Sequence, residues 1–403
     1  MKLTAEQSTA LLAINHWLTK SSAPEFVLAG YAGTGKTTLL GNFIDSQSKP
    51  VLTCAPTGKA ASVLRRKLSG NARVSTVHSI LYTPSTPSTD ILDALKEQLI
   101  EDPTNRELQA RMMEEKAALI QKKVKFNPKN ETNIVPGSLI VVDEASMVSR
   151  RMREDLIATG ARILFCGDAA QLPAVMSEDF FTNRKPDAML EQITRQSAES
   201  PIIRLSMQIR LGQNLEVNET GCRRMPKAAL PPTEWLRFDQ IITGKNETRQ
   251  KINRYIRKQK GFTRWWPFSG EKLVILKNER FDENMLINGV PAVALNDFSY
   301  NDECGEVMGS ILFEGSIING YPFYKFPFES HYNDSAKPAA WQDLSGSIQA
   351  DFAHALTVHK TQGSEFDSVL LADDGMMANN LDFRRRFLYT AITRARREFV
   401  WLT

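Results

Sequence analysis

The chain has 403 residues, of which 42% are hydrophobic and 24% charged, and its formal net charge is +4 at pH 7. This composition is that of an ordinary globular protein, and the length exceeds what one hydrophobic core supports, so we expect about two to four domains. Because no apolar run is long enough for a membrane span and the first residues are polar, we expect neither a span nor a secretory signal, and a cytoplasmic location. The four cysteines are too far apart in sequence to indicate a disulfide framework or a zinc site.

The first predicted element is a helix that runs from Thr4 to about Trp17. Thr4 is its N-cap and Gln7 follows three residues later, which is the spacing of a capping box. Two roles of Gln7 stay open. Either it only caps the helix, or its amide also reads the edge of an adenine base, because it lies one helix ahead of a glycine-rich loop.

That loop is the most informative part of the sequence. Residues 30–37 read Gly-Tyr-Ala-Gly-Thr-Gly-Lys-Thr and stand between a predicted strand at 26–29 and a predicted helix at 38–44, the context that the G-x-x-x-x-G-K-[ST] phosphate-binding motif requires. Glycines let backbone N–H groups surround phosphate oxygens at a helix N-terminus. Lys36 is expected to reach the β- and γ-phosphates and Thr37 to hold Mg²⁺. The nucleotide contacts expected here are Gly30, Ala32, Gly33, Thr34, Gly35, Lys36, Thr37 and Thr38.

Two threonines mark the next segments. A second strand is predicted at residues 51–55, and the segment 74–80 follows a further helix. Thr57 and Thr76 stand at a strand end or helix start, where a hydroxyl and backbone N–H groups can meet a phosphate. A simple N-cap explains both residues equally well.

The composition changes after Thr83. Residues 83–89 are rich in turn-forming Pro, Ser and Thr, and residues 90–125 are charged and helical in pattern. The stretch has few of the continuous apolar runs that buried parallel strands require. We therefore predict an inserted subdomain over residues 83–137.

A buried strand is predicted at residues 139–142, and it ends at two acids, Asp143 and Glu144. Downstream of a phosphate-binding loop, such a pair indicates the second half of the phosphate chemistry. We expect Asp143 to hold the metal ion, and Glu144 to orient and deprotonate the attacking water. Otherwise, paired acids at a strand end are simply solvated.

A further strand at residues 162–167 leads into a loop that contains Gln171. We expect Gln171 to sense the γ-phosphate and to relay its presence toward a bound polymer; the alternative is a loop amide exposed to water. Arg195 follows near the end of this first lobe, and by itself it would be a surface charge.

A second α/β lobe is predicted from about residue 201, with a strand at 240–243 and a helix at 246–260. The helix carries many cations and no acid after Glu247, so it is either a solvated face or a surface for nucleic acid. Residues 261–345 are aromatic, punctuated by Gly and Pro, and strand-like, which predicts a small β-barrel-like insertion. Its aromatic side chains are either core residues or base-stacking platforms.

The last segment restores the α/β pattern. Residues 351–367 lead to a strand at 368–371, and a helix and a strand follow. Arg386, Thr390 and Thr393/Arg394 recur at spacings of three and four, so they share one face of that helix. A cationic face with no nearby carboxylate is unfavourable unless anions or solvent meet it.

The order of these motifs resembles that of the superfamily 1 helicases, and specifically their RecD/Dda branch, superfamily 1B. The stretch 357–366, Thr-Val-His-Lys-Thr-Gln-Gly-Ser-Glu-Phe, is highly characteristic of that branch, and Pro56-Thr57 and residues 76–81 are similar to the Dda helicases of T-even phages. The likeness extends through both lobes in order. The segments that carry it are residues 3–7, 30–37, 55–61, 75–79, 141–146, 167–173, 195, 357–366 and 389–397.

This resemblance implies an α/β fold class with two RecA-like P-loop NTPase lobes, ATP in the cleft between them, and single-stranded DNA across their top. It implies a helical insertion in the first lobe, carrying the wedge or pin that splits the duplex, and an SH3-like β insertion in the second. The expected boundaries are residues 1–82 and 138–197 for lobe 1A, 83–137 for insertion 1B, 198–260 and 346–403 for lobe 2A, and 261–345 for insertion 2B.

Residue roles also follow from the resemblance. Gln7 matches the adenine reader, Thr37 and Asp143 the Mg²⁺ ligands, and Glu144 the catalytic base. Arg195 and Arg394 match two arginines that touch the γ-phosphate, the second reaching in from the other lobe. The further nucleotide contacts implied are Gln171, Gly363 and Glu365, and the implied DNA-backbone contacts are Pro56, Thr57, Thr76, His78, Thr357, His359 and Lys360.

The implied activity is ATP-dependent 5′→3′ translocation on single-stranded DNA with unwinding of forked duplex DNA, in replication, recombination or repair. The segment after Gln171 lacks the aromatic residue on which superfamily 1A enzymes stack a base, and this favours superfamily 1B. Two alternatives stay open: a RecD-like motor subunit of a nuclease complex, and an RNA helicase of superfamily 1. We expect a monomer in the cytoplasm of a bacterium or phage-infected cell, with a single-stranded-DNA-binding or replisome protein as candidate partner. The side chain that stacks on adenine is not assigned.

Overall fold

The structure, a computed structural model, describes residues 3–68, 72–85, 94–95, 98–99, 105, 108, 111–112, 125–129, 134–173, 180–181, 184–194, 199–213, 218–281, 284–303, 305–333, 335–338 and 346–403. The strands in chain order are β1 (Glu25–Gly30), β2 (Val51–Ala55), β3 (Ala72–Thr76), β4 (Tyr82–Ser85), β5 (Lys125–Pro128), β6 (Leu139–Val142), β7 (Arg162–Gly167), β8 (Ala188–Leu190), β9 (Asn218–Glu219), β10 (Cys222–Met225), β11 (Gln240–Thr243), β12 (Lys272–Ile275), β13 (Glu279–Phe281), β14 (Asn284–Leu286), β15 (Pro291–Ala294), β16 (Ser299–Asn301), β17 (Glu306–Met308), β18 (Ile311–Phe313), β19 (Ser316–Ile318), β20 (Pro322–Phe323), β21 (Ala350–Phe352), β22 (Ala355–Thr357), β23 (Phe366–Ala372) and β24 (Ala395–Leu402).

The helices are α1 (Ala5–Lys20), α2 (Lys36–Asp45), α3 (Gly58–Lys67), α4 (Val77–Leu81), α5 (Arg150–Ala158), α6 (Pro201–Leu211), α7 (Asn246–Gln259), α8 (Phe326–Glu329), α9 (Val358–Thr361) and α10 (Leu381–Ile392). Short 3₁₀ helices occupy Ala145–Met147, Lys227–Ala229 and Pro232–Arg237. Within the described part of the chain, none of the helices combines the length and the apolar character that crossing a bilayer requires.

The first lobe is built on six parallel strands in the order β3-β2-β6-β7-β1-β8. All of β1, and all but the first residue of β6 and β7, is buried, because helices cover both faces of the sheet. On one face α1 and α2 pack around Ile14, Leu39 and Phe43. On the other, α4 and α5 pack around Val77 and Leu156.

The second lobe repeats this plan. Its sheet has the order β22-β11-β23-β24-β10-β9, and its strands are parallel except for β9, which runs antiparallel to β10. Helices α6 and α10 cover one face through Ile209 and Phe387. Helix α7 covers the other through Ile252 and Ile256. The predicted α/β class, with a largely parallel sheet in each lobe, is confirmed.

Two insertions interrupt the lobes. In the first lobe β4 and β5 form an antiparallel pair, and most of the predicted helical subdomain over residues 83–137 lies outside the described residues. In the second lobe, an antiparallel sheet of order β19-β18-β15-β12-β21 is joined by the pair β13-β14 and by β16-β17-β20. The larger sheet takes in β21, so its last strand lies beyond the predicted boundary at residue 345. Its SH3-like character stays a prediction.

The aromatic residues of this second insertion form its core. Phe298, Phe323 and Phe328 are buried together, and Trp265 and Trp266 pack against them. The sequence left open whether these aromatic side chains are core residues or base-stacking platforms. The structure shows that they are core residues.

Buried ion pairs join α7 to the second insertion. The Arg257 guanidinium donates to Glu271 at 2.7 and 3.0 Å, and both side chains are fully buried. Nearby, Arg249 donates to Asp351 at 2.7 Å, and His331 contacts the same carboxylate. Burial would raise the pKa of Asp351, but the hydrogen bond with His331 and the charge of Arg249 outweigh it and lower that pKa to about 2.

These ion pairs correct part of the expectation for the basic helix. Two of its cations, Arg249 and Arg257, are neither solvated nor open to nucleic acid, because they hold the insertion against the second lobe. Lys258, on the same helix, is exposed.

Substituting Arg257 by Met should lower the free energy of unfolding by about 3–5 kcal/mol, because it leaves the Glu271 carboxylate buried without its cation. The exposed control Lys258→Met should change it by less than about 0.5 kcal/mol. Chemical denaturation followed by circular dichroism measures both. Equal stabilities of the two variants would contradict a structural role for the buried pair.

Candidate active site

A cleft of about 1220 Å³ opens between the two lobes. The first lobe lines it with residues that follow the carboxyl ends of β1, β6 and β7, the edge at which open α/β sheets bind ligands. The second lobe lines it with Gly363, Glu365 and Arg394. The cleft therefore brings together sequence segments from both ends of the chain.

The glycine loop has the conformation that phosphate binding requires. Gly33 and Gly35 have φ values of 79° and 77°, in the left-handed region that favours glycine, and α2 begins immediately afterwards at Lys36. The Lys36 ammonium donates to the carbonyls of Gly30 and Tyr31 at 2.7 and 2.9 Å. Backbone amides, a helix N-terminus and an ammonium group therefore converge at one place.

Most of the predicted loop contacts line the cleft. They are Ala32, Gly33, Gly35, Lys36, Thr37 and Thr38. Gly30 and Thr34 do not line it: the Gly30 carbonyl accepts from Lys36, and the buried Thr34 hydroxyl donates to the carbonyl of Tyr31 at 2.9 Å. These two residues stabilise the loop through hydrogen bonds within it and do not face the cleft.

Gln7 caps its helix and also braces the loop. Its side-chain oxygen accepts from the Thr4 N–H at 3.0 Å, which completes the predicted capping box. Its amide nitrogen donates to the Thr34 carbonyl at 2.9 Å. Gln7 lines the cleft as well, so a role toward adenine stays a prediction alongside the bracing role that the sequence did not indicate.

The two acids after β6 face the cleft together. Glu144 has a φ of 53°, which is uncommon for a residue other than glycine, and its N–H donates to the Asp143 carboxylate at 2.9 Å. Burial raises the pKa of both carboxyls. The charge of Asp143 raises the pKa of Glu144 further, whereas Arg394 and Lys36 oppose this. Unusual backbone geometry and raised pKa values are typical of reactive carboxylates.

Thr37 and Asp143 line the same cleft, and one hydroxyl with one carboxylate is a donor set that suits Mg²⁺, which keeps several waters and takes its other ligands from a phosphate. The residues present therefore fit the predicted ion.

The segment after β7 carries a buried acid and a buried amide. Asp168 is fully buried and lies 3.9 Å from the Lys36 ammonium. Gln171 is also buried, and its side-chain oxygen has no hydrogen-bond partner among the described residues. Because an orphaned buried acceptor is unfavourable, Gln171 is positioned to bind a polar group that enters the cleft. It is not the water-exposed loop amide that was the alternative.

Helix α10 of the second lobe binds this same segment. The Tyr389 hydroxyl accepts from the Ala32 N–H at 2.8 Å and donates to Asp168 at 2.7 Å. Thr390 accepts from the Leu172 N–H at 2.8 Å. Sequence reasoning missed these contacts, and the only signal for them was the helical spacing of residues 386, 390 and 394.

Two further side chains of the second lobe bind backbone carbonyls of the same segment, the one that follows β7. Arg386 donates to the Ala169 carbonyl at 2.6 Å, and Gln362 donates to the Leu172 carbonyl at 2.9 Å. The expected cationic face thus meets carbonyl oxygens of the first lobe. The expectation that no carboxylate lies near this face is wrong, because Arg386 also donates to the Asp382 carboxylate at 3.0 Å.

Arg394 is buried at the cleft and held by its own lobe. It donates to the carbonyls of Thr390 and Ser364 at 3.0 and 3.1 Å and to the Thr393 hydroxyl at 3.0 Å. Its charge lowers the pKa of Glu144, which places the two side chains within electrostatic reach. Arg195, the other predicted arginine, lies outside the described residues.

Close contacts surround Gly363 and Glu365. A Cβ at Gly363 would lie 3.1 Å from that of Ala60, so the lobes approach each other here. Glu365 pairs with Arg396 at 3.1 Å. Lys59 of α3 places its ammonium 5.5 Å from the Phe366 ring, and burial, together with Arg394 and Arg66, lowers the pKa of this lysine to about 8.

The predicted DNA contacts lie at another part of the molecule. Thr57, Thr76 and Thr357 accept from the N–H three residues ahead, at 3.1, 3.1 and 3.4 Å. All three threonines therefore have the N-cap role that was the local alternative. Thr57 follows β2, and Thr76 and Thr357 are the last residues of β3 and β22. These strands lie at or next to one edge of each sheet.

The remaining predicted DNA contacts surround these caps. A hydrogen bond with the Pro56 backbone raises the pKa of His78, but burial lowers it more. Burial also lowers the pKa of His359 and of Lys360. These pKa shifts do not test DNA binding, which stays a prediction for these residues.

Comparison with known families gives two matches. A family model described as "AAA domain" matches residues 2–222, more than half of the chain, and one described as "UvrD-like helicase C-terminal domain" matches residues 352–402. The first match contains the glycine loop and the paired acids. The second contains Arg394 and the helix that binds the first lobe.

Curated relatives cover nearly all of the chain. The ATP-dependent RecD2 DNA helicase of Deinococcus radiodurans is 26% identical over 387 residues, which cover 93% of this chain and 46% of that protein. The RecBCD enzyme subunit RecD of Mycobacterium tuberculosis is 24% identical over 441 aligned residues, which cover 92% of this chain and 65% of that protein. The chain thus spans between about half and two thirds of the length of these relatives.

Solved structures support the fold. A structure of Pif1 helicase described as unwinding forked double-stranded DNA matches with 17% identity and a TM-score of 0.56, covering 100% of this chain and 92% of that one. Pif1 helicase from Bacteroides with ADP-AlF3 and single-stranded DNA matches with 18% identity and a TM-score of 0.54, at the same coverage. At such identities the likeness shows the two-lobed RecA-like fold.

Tyr389→Phe keeps the ring and removes the hydroxyl that joins the lobes. Because the Ala32 N–H and the Asp168 carboxylate each lose a buried partner, we expect a loss of about 1–3 kcal/mol in the free energy of unfolding. The control Tyr255→Phe alters a half-buried tyrosine whose hydroxyl has no partner among the described residues, and should change it by less than about 0.5 kcal/mol. Chemical denaturation of both variants measures the difference, and indistinguishable stabilities would refute the contact.

Proposed function

The chain belongs to the AAA domain family, and on that basis we propose that it is an ATP-dependent DNA helicase, a motor that moves 5′→3′ along single-stranded DNA and unwinds duplex DNA. One observation carries the proposal: the phosphate-binding loop, the paired acids and Arg394 of the other lobe line a single cleft. An arginine supplied by a second lobe makes hydrolysis depend on how the two lobes are placed, which is what a motor requires.

The resemblance to RecD-type superfamily 1B helicases is confirmed by the family match, the RecD2 and RecD relatives and the Pif1 neighbours. The finer likeness to the Dda helicase of T-even phages stays a prediction. Because the relatives are longer than this chain, their whole activity is attributed to it only as part of this proposal.

The nucleotide would enter with its triphosphate on the glycine loop. Lys36 would exchange the carbonyls of Gly30 and Tyr31 for the β- and γ-phosphates, and Gln7 would face the adenine end of the cleft. Thr37 and Asp143 would hold Mg²⁺, which when bound would neutralise phosphate charge.

Hydrolysis would depend on Glu144 as the general base. In this site its pKa is raised by burial and by Asp143, so that it accepts a proton from water more readily than an ordinary glutamate does. Gln171, whose buried oxygen lacks a partner among the described residues, would bind the attacking water or the γ-phosphate. Arg394, together with Arg195, would stabilise the charge on the transferred phosphoryl group. The remaining contacts proposed for the nucleotide are Gly363 and Glu365.

Motion would arise because the ligand bridges both lobes. Arg394 now binds the carbonyls of Thr390 and Ser364 and would have to turn toward the triphosphate. When hydrolysis removes the bridging charge, the contacts across the cleft weaken and the lobes can separate. Opening one base-pair step takes about 1.4 kcal/mol on average, which is small enough for a cycle to advance by at least one step.

DNA would lie across the strand edges that carry the threonine caps. The triplet Thr-Val-His occurs at residues 76–78 after β3 and again at residues 357–359 after β22. Each lobe therefore offers the same group of donors, as an alternating grip on one strand requires. Contacts to the backbone rather than to bases would give binding that is independent of sequence and sensitive to salt.

The RecD relative from M. tuberculosis favours one alternative, that the chain is a motor subunit within a nuclease complex. In that case the isolated chain would hydrolyse ATP on DNA without displacing a strand by itself. An RNA helicase of superfamily 1 would instead be stimulated more by RNA. A monomeric state, a single-stranded-DNA-binding or replisome partner, and action in the cytoplasm of a bacterium or phage-infected cell belong to the proposal as untested expectations.

Strand displacement on partial duplexes tests activity and direction together. We expect the chain, with ATP and Mg²⁺, to unwind a duplex with a 5′ single-stranded tail and to leave one with a 3′ tail intact. The matched control Glu144→Gln should bind ATP and DNA yet displace nothing, because it lacks the base. Failure on both tails despite DNA-stimulated ATP hydrolysis would favour the motor-subunit alternative, and greater stimulation by RNA the RNA helicase.

Arg394→Ala should lower DNA-stimulated ATP hydrolysis by about 10³–10⁵-fold, the usual contribution of such an arginine. It should also move the acidic limb of the pH–rate profile to higher pH. The charge of Arg394 lowers the pKa of Glu144, so without it the base is protonated at a higher pH. The control Arg396→Ala, which removes one of the two cations paired with Glu365, should leave the acidic limb in place. An unchanged rate and an unchanged limb in Arg394→Ala would exclude the assigned role.

A further inference from the structure

A second cavity of about 200 Å³ lies beside the glycine loop. Tyr31 lines both this cavity and the main cleft. Tyr389 lines the smaller cavity, while its hydroxyl bonds to Ala32 and Asp168, which line the cleft. The two tyrosines therefore separate the spaces. A water molecule takes about 30 Å³ of liquid, so a phosphate ion with several waters fits in the cavity.

The cavity carries excess positive charge. Arg210, Arg385 and Arg386 line it, with Asp382 as the one acid among its lining residues in the described chain. Arg386 is already bound to Asp382 at 3.0 Å and to the Ala169 carbonyl at 2.6 Å. Among the described residues, no carboxylate pairs with the other two arginines.

Arg210 and Arg385 have no hydrogen bond or ion pair with any residue that the structure describes. The Arg210 guanidinium stacks on the Tyr31 ring at 3.7 Å from its centre, and its buried Nε has no partner. Arg385 packs against Gly212, where a Cβ would lie 2.7 Å from its Nη2. Stacking on Tyr31 thus orients Arg210, whereas Arg385 is exposed at the same pocket, and neither guanidinium has a hydrogen-bond partner among the described residues. Two such groups can donate together to one oxyanion.

We propose that this arginine pocket binds a phosphate ion, and that this ion is the phosphate released from ATP at the neighbouring loop. The source of the phosphate, though not the binding site itself, rests on the proposed function. The pocket adjoins Tyr31 of the loop, which also lines the cleft. Phosphate that leaves the hydrolysis site past Tyr31 would reach the guanidinium groups of Arg210 and Arg385.

The phosphates of DNA are the other source of the same chemistry. The residues proposed to contact DNA follow β2, β3 and β22, toward one end of each sheet. The arginine pocket instead lies beyond β1 and β7 in the first lobe and against α6 and α10 in the second. This separation favours free phosphate as the ligand.

Titration of the full-length chain with inorganic phosphate, followed by ³¹P nuclear magnetic resonance, tests the site. The chain should carry Lys36→Ala, which removes the ammonium of the main cleft at a residue that does not itself line the pocket. Added Arg210→Gln or Arg385→Gln should each weaken phosphate binding about tenfold or more, the usual effect of losing one charged hydrogen bond. The control Arg204→Gln removes an exposed charge on α6 outside the pocket, and should leave the affinity within about twofold.

Equal phosphate affinity in all these variants overturns the proposal, whether or not the chain hydrolyses ATP. A short single-stranded oligonucleotide provides the second arm. If Arg385→Gln weakens oligonucleotide binding tenfold and leaves phosphate binding unchanged, the pocket serves DNA and the proposal is wrong. If the Lys36→Ala chain binds phosphate as expected but the wild-type chain does not hydrolyse ATP on DNA, the proposed function and the proposed source of the phosphate are refuted, while the anion site stands.

Discussion

Buried hydrogen bonds between the two lobes are the interaction on which the cleft depends. The Tyr389 hydroxyl accepts from the Ala32 N–H of the phosphate-binding loop and donates to Asp168, which lies 3.9 Å from the Lys36 ammonium. Leaving a buried polar group without its partner costs more free energy than the hydrogen bond contributes to stability. Any displacement of the second lobe therefore leaves an amide and a carboxylate unpaired at the loop. The position of that lobe and the state of the loop are linked for this reason.

The charges of the cleft also depend on both lobes. The two cations that would neutralise a triphosphate, Lys36 and Arg394, come from different lobes and are both bound to backbone carbonyls. Hydrogen bonds from a cation to phosphate are stronger than those to a neutral carbonyl, so a nucleotide would draw both cations toward itself. The raised pKa values of Asp143 and Glu144 have the same origin, because burial in the cleft disfavours two adjacent negative charges until cations approach.

The parts of the site that depend on neighbouring residues could be predicted from the sequence. The glycine loop, the acids after β6 and the capping box of Gln7 are set by residues within one turn or one strand of each other. The bond between Tyr389 and Asp168 could not be predicted, because it joins residues 221 positions apart. Helical spacing placed Arg386 and Thr390 on one face, but nothing local shows that this face meets the first lobe. Likewise, the cations of α7 gave no sign that Glu271 and Asp351 lie beneath them. Most of the insertion that was predicted to split the duplex, and Arg195, lie outside the described residues.

The distance between the lobes, measured with and without nucleotide, tests most directly whether one ATP joins the two halves of the chain. Spin labels at Lys20→Cys in the first lobe and Lys258→Cys in the second would report it in a chain that also carries Cys304→Ser. Both positions are exposed, Cys54, Cys166 and Cys222 are buried, and Cys304 lies outside the described residues. With single-stranded DNA present, a non-hydrolysable ATP analogue should shift the distance distribution in the wild-type background and leave it unchanged with Arg394→Ala. The same distribution with and without bound nucleotide in the wild-type background would contradict a motor built on this cleft.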